Sequence, residues 1–246
     1  MSFFRAFFTP KGQEEPGPPL SAVLHPYYPK SLLLPGYEPL VIPFERILYI
    51  FFGSSTVVFI ALWLASGRVK HFGTGERLTL TWLVMTGVIH MIVEGAVVLN
   101  SEFYKSTSPN ILFEIWKEYG KADSRYVTRD SFVISMEAFT AFVVGPMCFW
   151  AVLAMVRQHS WRHVLQLIVS VCQLYGDVLY FATTGIEGWI HSRPEPLYFW
   201  FYFVVVNGIW VVIPGIIAVA SAVRLCRAVA FHDRISWAAA SHEKDV

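Results

Sequence analysis

The chain has 246 residues, of which 55% are hydrophobic, 16% aromatic and only 15% charged. Soluble domains typically carry about 25% charged residues, so this composition, together with the apolar runs described below, indicates a membrane protein. A formal net charge of +1 argues against a basic surface for nucleic acid. The three cysteines, Cys148, Cys172 and Cys226, show no paired spacing, so we expect neither a disulfide framework nor a zinc ribbon.

Residues 1–24 form a polar, proline-rich lead that is predicted to be flexible, because it cannot bury a core. Its first residues lack the basic start, the long apolar region and the cleavage site of a signal peptide. The next stretch, His25-Pro-Tyr-Tyr-Pro29, is rich in aromatic residues and proline. It suits either a stiff segment at the level of the lipid headgroups or a nonspecific linker.

Five apolar runs follow, and each is long enough to cross a bilayer as a helix. They span about residues 47–65, 78–99, 132–156, 164–183 and 197–223. The sequence therefore predicts an all-α membrane protein, a bundle of five transmembrane helices in residues 25–223. The polar stretch 100–131 is predicted to hold a short amphipathic helix at the interface. The polar tail 224–246 is predicted to be disordered.

Five crossings put the two termini on opposite sides of the membrane. Basic residues are nearly balanced between the two sides. The compact loops favour an outward N-terminus, whereas the five basic residues of the second loop oppose it.

His90 and Glu94 lie four residues apart in the second run, so their side chains leave the same face of a helix. An ionisable pair at membrane depth is costly and is usually retained for a function. The plainer interpretation is a hydrogen bond between packed helices. A zinc site is a weaker hypothesis, since two ligands do not complete one.

Three later runs also carry polar or aromatic groups at helical spacing. These groups are Glu137 with Thr140, Gln173 with Asp177 and Tyr180, and Asn207 with Trp210. A bundle that turns these stripes inward would line one cavity. Hydrogen bonds between helices, worth about 0.6 kcal/mol each, are the alternative. They explain the neutral groups well but explain two glutamates and a histidine badly, because neutral side chains are cheaper to bury.

Seven ordered motifs resemble the emopamil-binding protein family, the 3-beta-hydroxysteroid Δ8,Δ7-isomerases. The motifs are His25-Pro-Tyr, Gly87-Val-Ile-His-Met-Ile-Val-Glu-Gly95, Trp116-Lys-Glu-Tyr119, Asp123-Ser-Arg-Tyr126, Met136-Glu137 with Thr140, Gln173-Leu-Tyr-Gly-Asp-Val-Leu-Tyr-Phe181, and Pro196-Leu-Tyr-Phe-Trp-Phe-Tyr-Phe203 with Asn207 and Trp210. The resemblance implies a multi-pass protein of the endoplasmic reticulum membrane, often a homodimer, with a sterol pocket surrounded by membrane lipid. It also implies binding of lipophilic amines and migration of the sterol ring double bond from position 8 to position 7.

That reaction needs an acid, a base and a group that stabilises a carbocation, and it needs no redox cofactor or metal. Glu94 is the candidate acid, and His90 can share or resupply its proton. Glu137 can accept the departing proton and face the cation, and the indole of Trp210 can contribute a cation–π contact. Which glutamate gives the proton and which takes it stays open.

Further residues are predicted to contact or surround the substrate. Thr140 and Asn207 are expected to bind the sterol hydroxyl or to orient the carboxyl groups, and Tyr119, Arg125, Tyr126 and Met136 are expected to bind substrate. Gln173, Asp177 and Tyr180 are predicted to lie behind these residues or to serve in packing.

Two functions from different classes fit the residues. The first is an intramembrane sterol isomerase, and the second is a non-catalytic protein that binds sterols or cationic amphiphiles. Two glutamates and a histidine favour the isomerase, because a binding protein needs only one anion. A transporter is a weaker third hypothesis, since the sequence shows no inverted repeat.

Overall fold

The computed structural model describes the backbone of residues 24–244 and the side chains of residues 24–237. Five helices are long and apolar enough to cross a membrane: α1 Phe44–Ser66, α2 Thr74–Leu99, α5 Ser131–Val156, α6 Arg162–Ile186 and α7 Leu197–Trp237. Two short helices, α3 Ile111–Tyr119 and α4 Arg125–Thr128, lie between α2 and α5. The described part of the chain contains no strand, and the predicted all-α membrane bundle is confirmed.

The helices begin where the sequence supplies caps. Asn110 accepts the backbone N–H of Leu112 at 3.0 Å at the start of α3, and Asp130 accepts that of Val133 at 3.0 Å at the start of α5. Such side chains satisfy backbone donors that the first helical turn leaves unpaired. Pro43 precedes α1, where a missing N–H does no harm.

The end of the last helix differs from the prediction. The sequence predicts that the fifth run ends at 223 and that a disordered tail follows, whereas the backbone remains helical to Lys244. Residues 224–244 contain neither proline nor glycine, so nothing in the local sequence stops the helix. The predicted flexible lead, apart from Leu24, lies outside the described residues.

Helices α2, α5, α6 and α7 form the body of the bundle, with α6 and α7 packed along much of their length. Helix α1 packs on α2 at the edge of the bundle. Only Ile47 and Ser66 of α1 are buried, so most of its apolar surface faces outward. Outward apolar residues are what a helix in contact with lipid requires.

Two glycines allow α2 and α5 to approach closely. A Cβ atom on Gly87 would lie 2.9 Å from a ring carbon of Phe149, and one on Gly145 would lie 2.7 Å from Cγ of Met91. Small residues at such positions are the usual way in which membrane helices bring their backbones together. Gly145 would also place a Cβ 3.2 Å from Cβ of His90, so the contact lies at the level of the polar residues.

The short helix predicted within 100–131 is present as α3, and its charged residues are buried against protein. In α3 the fully buried pair Glu114 and Lys117 lies 3.1 Å apart. The Lys117 ammonium also donates to the carbonyl oxygens of Ser106 at 2.6 Å and Pro39 at 3.2 Å. Buried charges persist only when they are paired and hydrogen-bonded. Here Glu114 of α3 supplies the opposite charge, and the carbonyl groups of Ser106 and Pro39, outside α3, supply the hydrogen bonds.

The segment 25–29 is likewise packed against protein. Tyr27 is fully buried, and its hydroxyl donates to the carbonyl oxygen of Lys117 at 3.1 Å. The hydroxyl of Ser124 donates to the carbonyl oxygen of Tyr28. These contacts hold the segment against α3 and the turn before α4, as a stiff segment requires and a nonspecific linker does not.

Candidate functional site

Helices α2 and α5 each contain a short π-helical segment, Ile89–Glu94 and Thr140–Val144, and the two segments pack against each other. Such turns are rare and are frequently found at functional sites. His90 and Glu94 lie in the first segment, and Thr140 opens the second. The sequence pattern gave no sign of these segments, although it located the residues that they carry.

His90 and Glu94 form the centre of a buried hydrogen-bond cluster. Nδ1 of His90 lies 2.6 Å from Oε2 of Glu94, and Thr140 donates to the same oxygen at 2.5 Å. On the other side of the ring, Nε2 of His90 lies 3.0 Å from the amide nitrogen of Gln173. If this amide donates, the ring proton lies on Nδ1 and is donated to Glu94.

Glu137 completes the acidic part of the cluster from α5. The hydroxyl of Tyr126 donates to Oε1 of Glu137 at 2.7 Å. Burial, followed by the nearby Glu137 carboxyl, holds the pKa of the Tyr126 hydroxyl well above its usual value, so this group stays a donor. Glu137 and Glu94 line the same cavity, so both carboxyl groups face one ligand space.

Trp210 places an indole beside the histidine. Its ring centroid lies 5.0 Å from that of His90, with 39° between the ring planes, and 5.2 Å from that of Trp82. The faces of such rings carry negative charge and attract cations. The site therefore combines acid–base groups with a π-rich wall.

Tyr119 and Asn207 form a second polar pair in the same wall. The Tyr119 hydroxyl donates to the side-chain oxygen of Asn207 at 2.9 Å, and the Asn207 amide donates to the carbonyl oxygen of Phe203 at 2.7 Å. Burial raises the pKa of the Tyr119 hydroxyl, so this group also stays protonated. The pair joins the end of α3 to α7.

These groups surround one cavity of about 390 Å³, a size in the range of small-molecule sites. The predicted site residues that line it are His90, Glu94, Tyr119, Tyr126, Met136, Glu137, Thr140, Gln173, Asp177, Tyr180, Asn207 and Trp210. They come from α2, α3, α4, α5, α6 and α7, and Phe51, Phe52 and other apolar residues of α1 close one side.

Arg125 is the one predicted site residue that the structure places elsewhere. It is buried in an ion pair with Asp123, with Nη2 2.7 Å from Oδ2, and Nη1 donates to Thr183 at 2.8 Å. Its guanidinium also lies over the Tyr180 ring, 4.7 Å from the centroid. Arg125 does not line the cavity. A buried charge needs a partner of opposite charge, and the ion pair with Asp123 holds the Arg125 side chain behind the cavity wall.

Three residues of α6 lie closer to the cavity than predicted: Gln173, Asp177 and Tyr180. They were expected behind the substrate-contacting residues, but all three line the cavity. Gln173 contacts His90 directly. They share one face of α6, and packing of α6 against α7 turns that face toward the cavity.

Several cavity residues were not predicted as site residues. Among them are Trp82, Trp116, Glu118 and Tyr202. Trp116 and Glu118 belong to a quoted motif, and Trp82 precedes His90 by eight residues, which places both on about the same helical face. Tyr202 lies in a run of six aromatic residues, where composition offered no way to choose among them.

Comparison with known proteins places the chain in a family. A family model described as EXPERA (EXPanded EBP superfamily) matches residues 111–221. A 3-beta-hydroxysteroid-Delta(8),Delta(7)-isomerase from Rattus norvegicus is 45% identical over 197 residues, which cover 79% of this chain and 85% of that protein. A probable enzyme of the same name from Arabidopsis thaliana is 41% identical over 211 residues, covering 86% and 93%.

An isomeliandiol synthase from Melia azedarach is 39% identical over 163 residues, which cover 66% of this chain and 76% of that protein. The two isomerases are aligned over most of their length and over most of this chain. This chain therefore belongs to the emopamil-binding protein family, the family of the 3-beta-hydroxysteroid-Δ8,Δ7-isomerases.

Proposed function

We propose that this chain is an intramembrane sterol isomerase that moves the ring double bond from Δ8 to Δ7. The observation that carries the proposal is the cluster of His90, Glu94 and Glu137 on one wall of an apolar cavity within the membrane helices. The isomerases to which the chain is 41–45% identical bear the name of this reaction.

The reaction forms one C–H bond and breaks another, without a net gain or loss of electrons. A proton added to one alkene carbon leaves a tertiary carbocation on its neighbour. Loss of a proton from the next carbon then forms the double bond at its new position. The protein must deliver a proton, accept a proton and stabilise the cation between these two steps.

Glu94 and His90 supply the proton in this proposal. Their 2.6 Å contact lets the proton move between the ring and the carboxyl, and Thr140 holds the carboxyl in place through its 2.5 Å hydrogen bond. Gln173 fits either charge state of the ring, because its amide can donate to a neutral Nε2 or, after rotation, accept from a protonated one.

Glu137 faces the cation and accepts the departing proton. Tyr126 orients it through the 2.7 Å hydrogen bond, and the hydroxyl keeps its own proton because its pKa is raised. Trp210 adds the face of its indole, and such contacts contribute about 2 kcal/mol when desolvated. The apolar walls exclude water, which would otherwise capture the cation.

The setting of the enzyme follows from its helices and its family. Five membrane-spanning helices make it a multi-pass membrane protein, so a lipid-soluble substrate reaches it through the bilayer. Residence in the endoplasmic reticulum, a homodimeric state and binding of lipophilic amines are parts of the proposal that rest on the family resemblance.

The test is turnover of a Δ8-sterol by the purified full-length protein in D2O, followed by mass spectrometry. An isomerase will give the Δ7-sterol with deuterium from the solvent at the carbon that received the proton. Glu94→Gln and Glu137→Gln should abolish most turnover, whereas Glu195→Gln, in the loop before α7, should retain it. Tight sterol binding without any product would instead support a non-catalytic binding protein.

A further inference from the structure

Asp177 is the one carboxyl of the cavity wall that nothing in the described residues satisfies. Its side chain is only 8% exposed, and its Oδ2 atom is buried without a hydrogen-bond partner. The other three carboxyls in the wall all have partners. Glu94 has His90 and Thr140, Glu137 has Tyr126, and Glu118 has Lys121 and Tyr198.

A packing role does not account for this residue. Elsewhere on α6, Gln166 accepts a hydrogen bond from Ser221 of α7 at 3.3 Å, which is what a group that joins two helices should do. Asp177 has no such partner in the part of the chain that the structure describes. A buried polar group without a partner is unfavourable, and a carboxyl is more unfavourable than an amide, so helix packing alone would favour another residue here.

Asp177 also lies at a specific distance from the acid–base cluster. Gln173, one turn earlier on α6, contacts His90 at 3.0 Å. Four residues advance a helix by about 6 Å, so Asp177 lies about one turn from the reacting groups along the cavity. The hydroxyls of Tyr180 and Tyr202 in the same wall also have no hydrogen-bond partner among residues 24–237.

We propose that Asp177 accepts a hydrogen bond from the 3β-hydroxyl of the sterol and thereby fixes how deeply the ring system enters the cavity. The proposal rests on the proposed function, because it assumes a sterol with its hydroxyl on ring A and its reacting double bond between rings B and C. A ligand held by its hydroxyl at Asp177 brings the neighbouring rings to His90, Glu94 and Glu137. Asp177 is thus a positioning residue that selects hydroxylated substrates.

The experiment compares two substrates with two enzymes. The full-length protein and its Asp177→Leu variant are each given a 3β-hydroxy Δ8-sterol and the corresponding 3-deoxy Δ8-sterol. Wild type should lose about 10- to 100-fold in kcat/KM when the hydroxyl is removed, the usual range for a lost buried hydrogen bond. With the hydroxy sterol, Asp177→Leu should have a kcat/KM about 10- to 100-fold below that of wild type, mostly through a higher KM. With the deoxy sterol, Asp177→Leu and wild type should have the same kcat/KM.

Controls separate recognition of the hydroxyl from a structural effect. Asp177→Asn keeps an acceptor of the same size and should lie between wild type and Asp177→Leu, which preserves the test if the leucine variant does not fold. Tyr175→Phe, on the exposed face of α6, should behave as wild type. If the variants lose the same factor with both sterols, Asp177 acts on the fold and not on the hydroxyl, and the proposal is wrong.

Binding measurements make the inference independent of turnover. Competition binding to wild type and to Asp177→Leu is measured for the same two sterols. It is also measured for a cationic lipophilic amine and its neutral carbon analogue. Weaker binding of the hydroxy sterol alone supports the proposal. Weaker binding of the cationic amine with unchanged hydroxy-sterol binding would make Asp177 an ammonium site and overturn it. If wild type binds both sterols but converts neither, the isomerase assignment fails, and the binding comparison still decides the role of Asp177.

Discussion

Replacement of Glu137 by glutamine tests the acid–base cluster most directly. The change keeps the size of the side chain and one oxygen that can accept the 2.7 Å hydrogen bond from Tyr126. It removes the negative charge that faces the carbocation and the atom that accepts the departing proton. The cavity should therefore remain intact while the chemical step fails.

Two independent arguments give a similar size for this effect. Loss of one positioned acid or base typically lowers a rate by about 10²–10⁴-fold. A unit charge about 4 Å from a cation contributes about 4 kcal/mol at an effective dielectric constant of 20, which corresponds to about 10³-fold in rate. Glu137→Gln should therefore lower kcat by about 10³-fold. Tyr126→Phe removes only the orienting hydrogen bond, worth about 1.5–3 kcal/mol to a charged acceptor, and should lower kcat less.

The assay follows Δ8-sterol conversion by mass spectrometry with purified protein, and thermal unfolding in detergent checks the fold. Wild type and Glu195→Gln serve as controls, since Glu195 pairs with Arg193 at the protein surface and does not line the cavity. A folded Glu137→Gln variant with turnover within a few-fold of wild type would remove Glu137 from the mechanism and leave Glu94 with His90 as the only acid–base pair.

Three further predictions concern the aromatic wall, the helix contact and the buried ion pair. A sterol mimic with a protonated amine at the cation position should bind wild type far more tightly than its neutral carbon counterpart, and Trp210→Leu should lose about 2 kcal/mol of that preference in competition binding. Equal affinity of wild type for both ligands would contradict a cation-stabilising site. Gly145→Ala should lower both stability and turnover, because the new Cβ would lie 2.7 Å from Cγ of Met91 and 3.2 Å from Cβ of His90. A variant with unchanged stability and turnover would show that α2 and α5 can move apart at no cost. Glu114→Ala should lower the free energy of unfolding by about 3–5 kcal/mol, because it leaves Lys117 buried without its carboxylate. Replacing Lys117 by Met in the same variant should restore part of that free energy. Thermal unfolding in detergent measures both effects.

Gln173 and Arg125 show what helical spacing and sequence motifs cannot predict about the position of a side chain. Helical spacing correctly put Gln173 and Asp177 on one face, but it could not tell whether that face met the cavity or another helix. Arg125 was expected in the pocket because it belongs to a conspicuous motif. Its ion pair with Asp123 and its hydrogen bond to Thr183 hold it behind the wall instead. Only the packing of α4 against its surroundings decides such a question.

The sequence by itself determined the membrane class, the five crossings and the polar residues that face inward. These features follow from local chemistry, since apolar runs of sufficient length and 3.6-residue periodicity are read within one helix. The tertiary structure alone decided the π-helical segments that carry His90, Glu94 and Thr140, the burial of α3 and the exposed position of α1. It also decided which carboxyls found partners and which did not. These features depend on contacts between residues far apart in the chain, such as Thr140 with Glu94 and Gln173 with His90, and no local pattern records them.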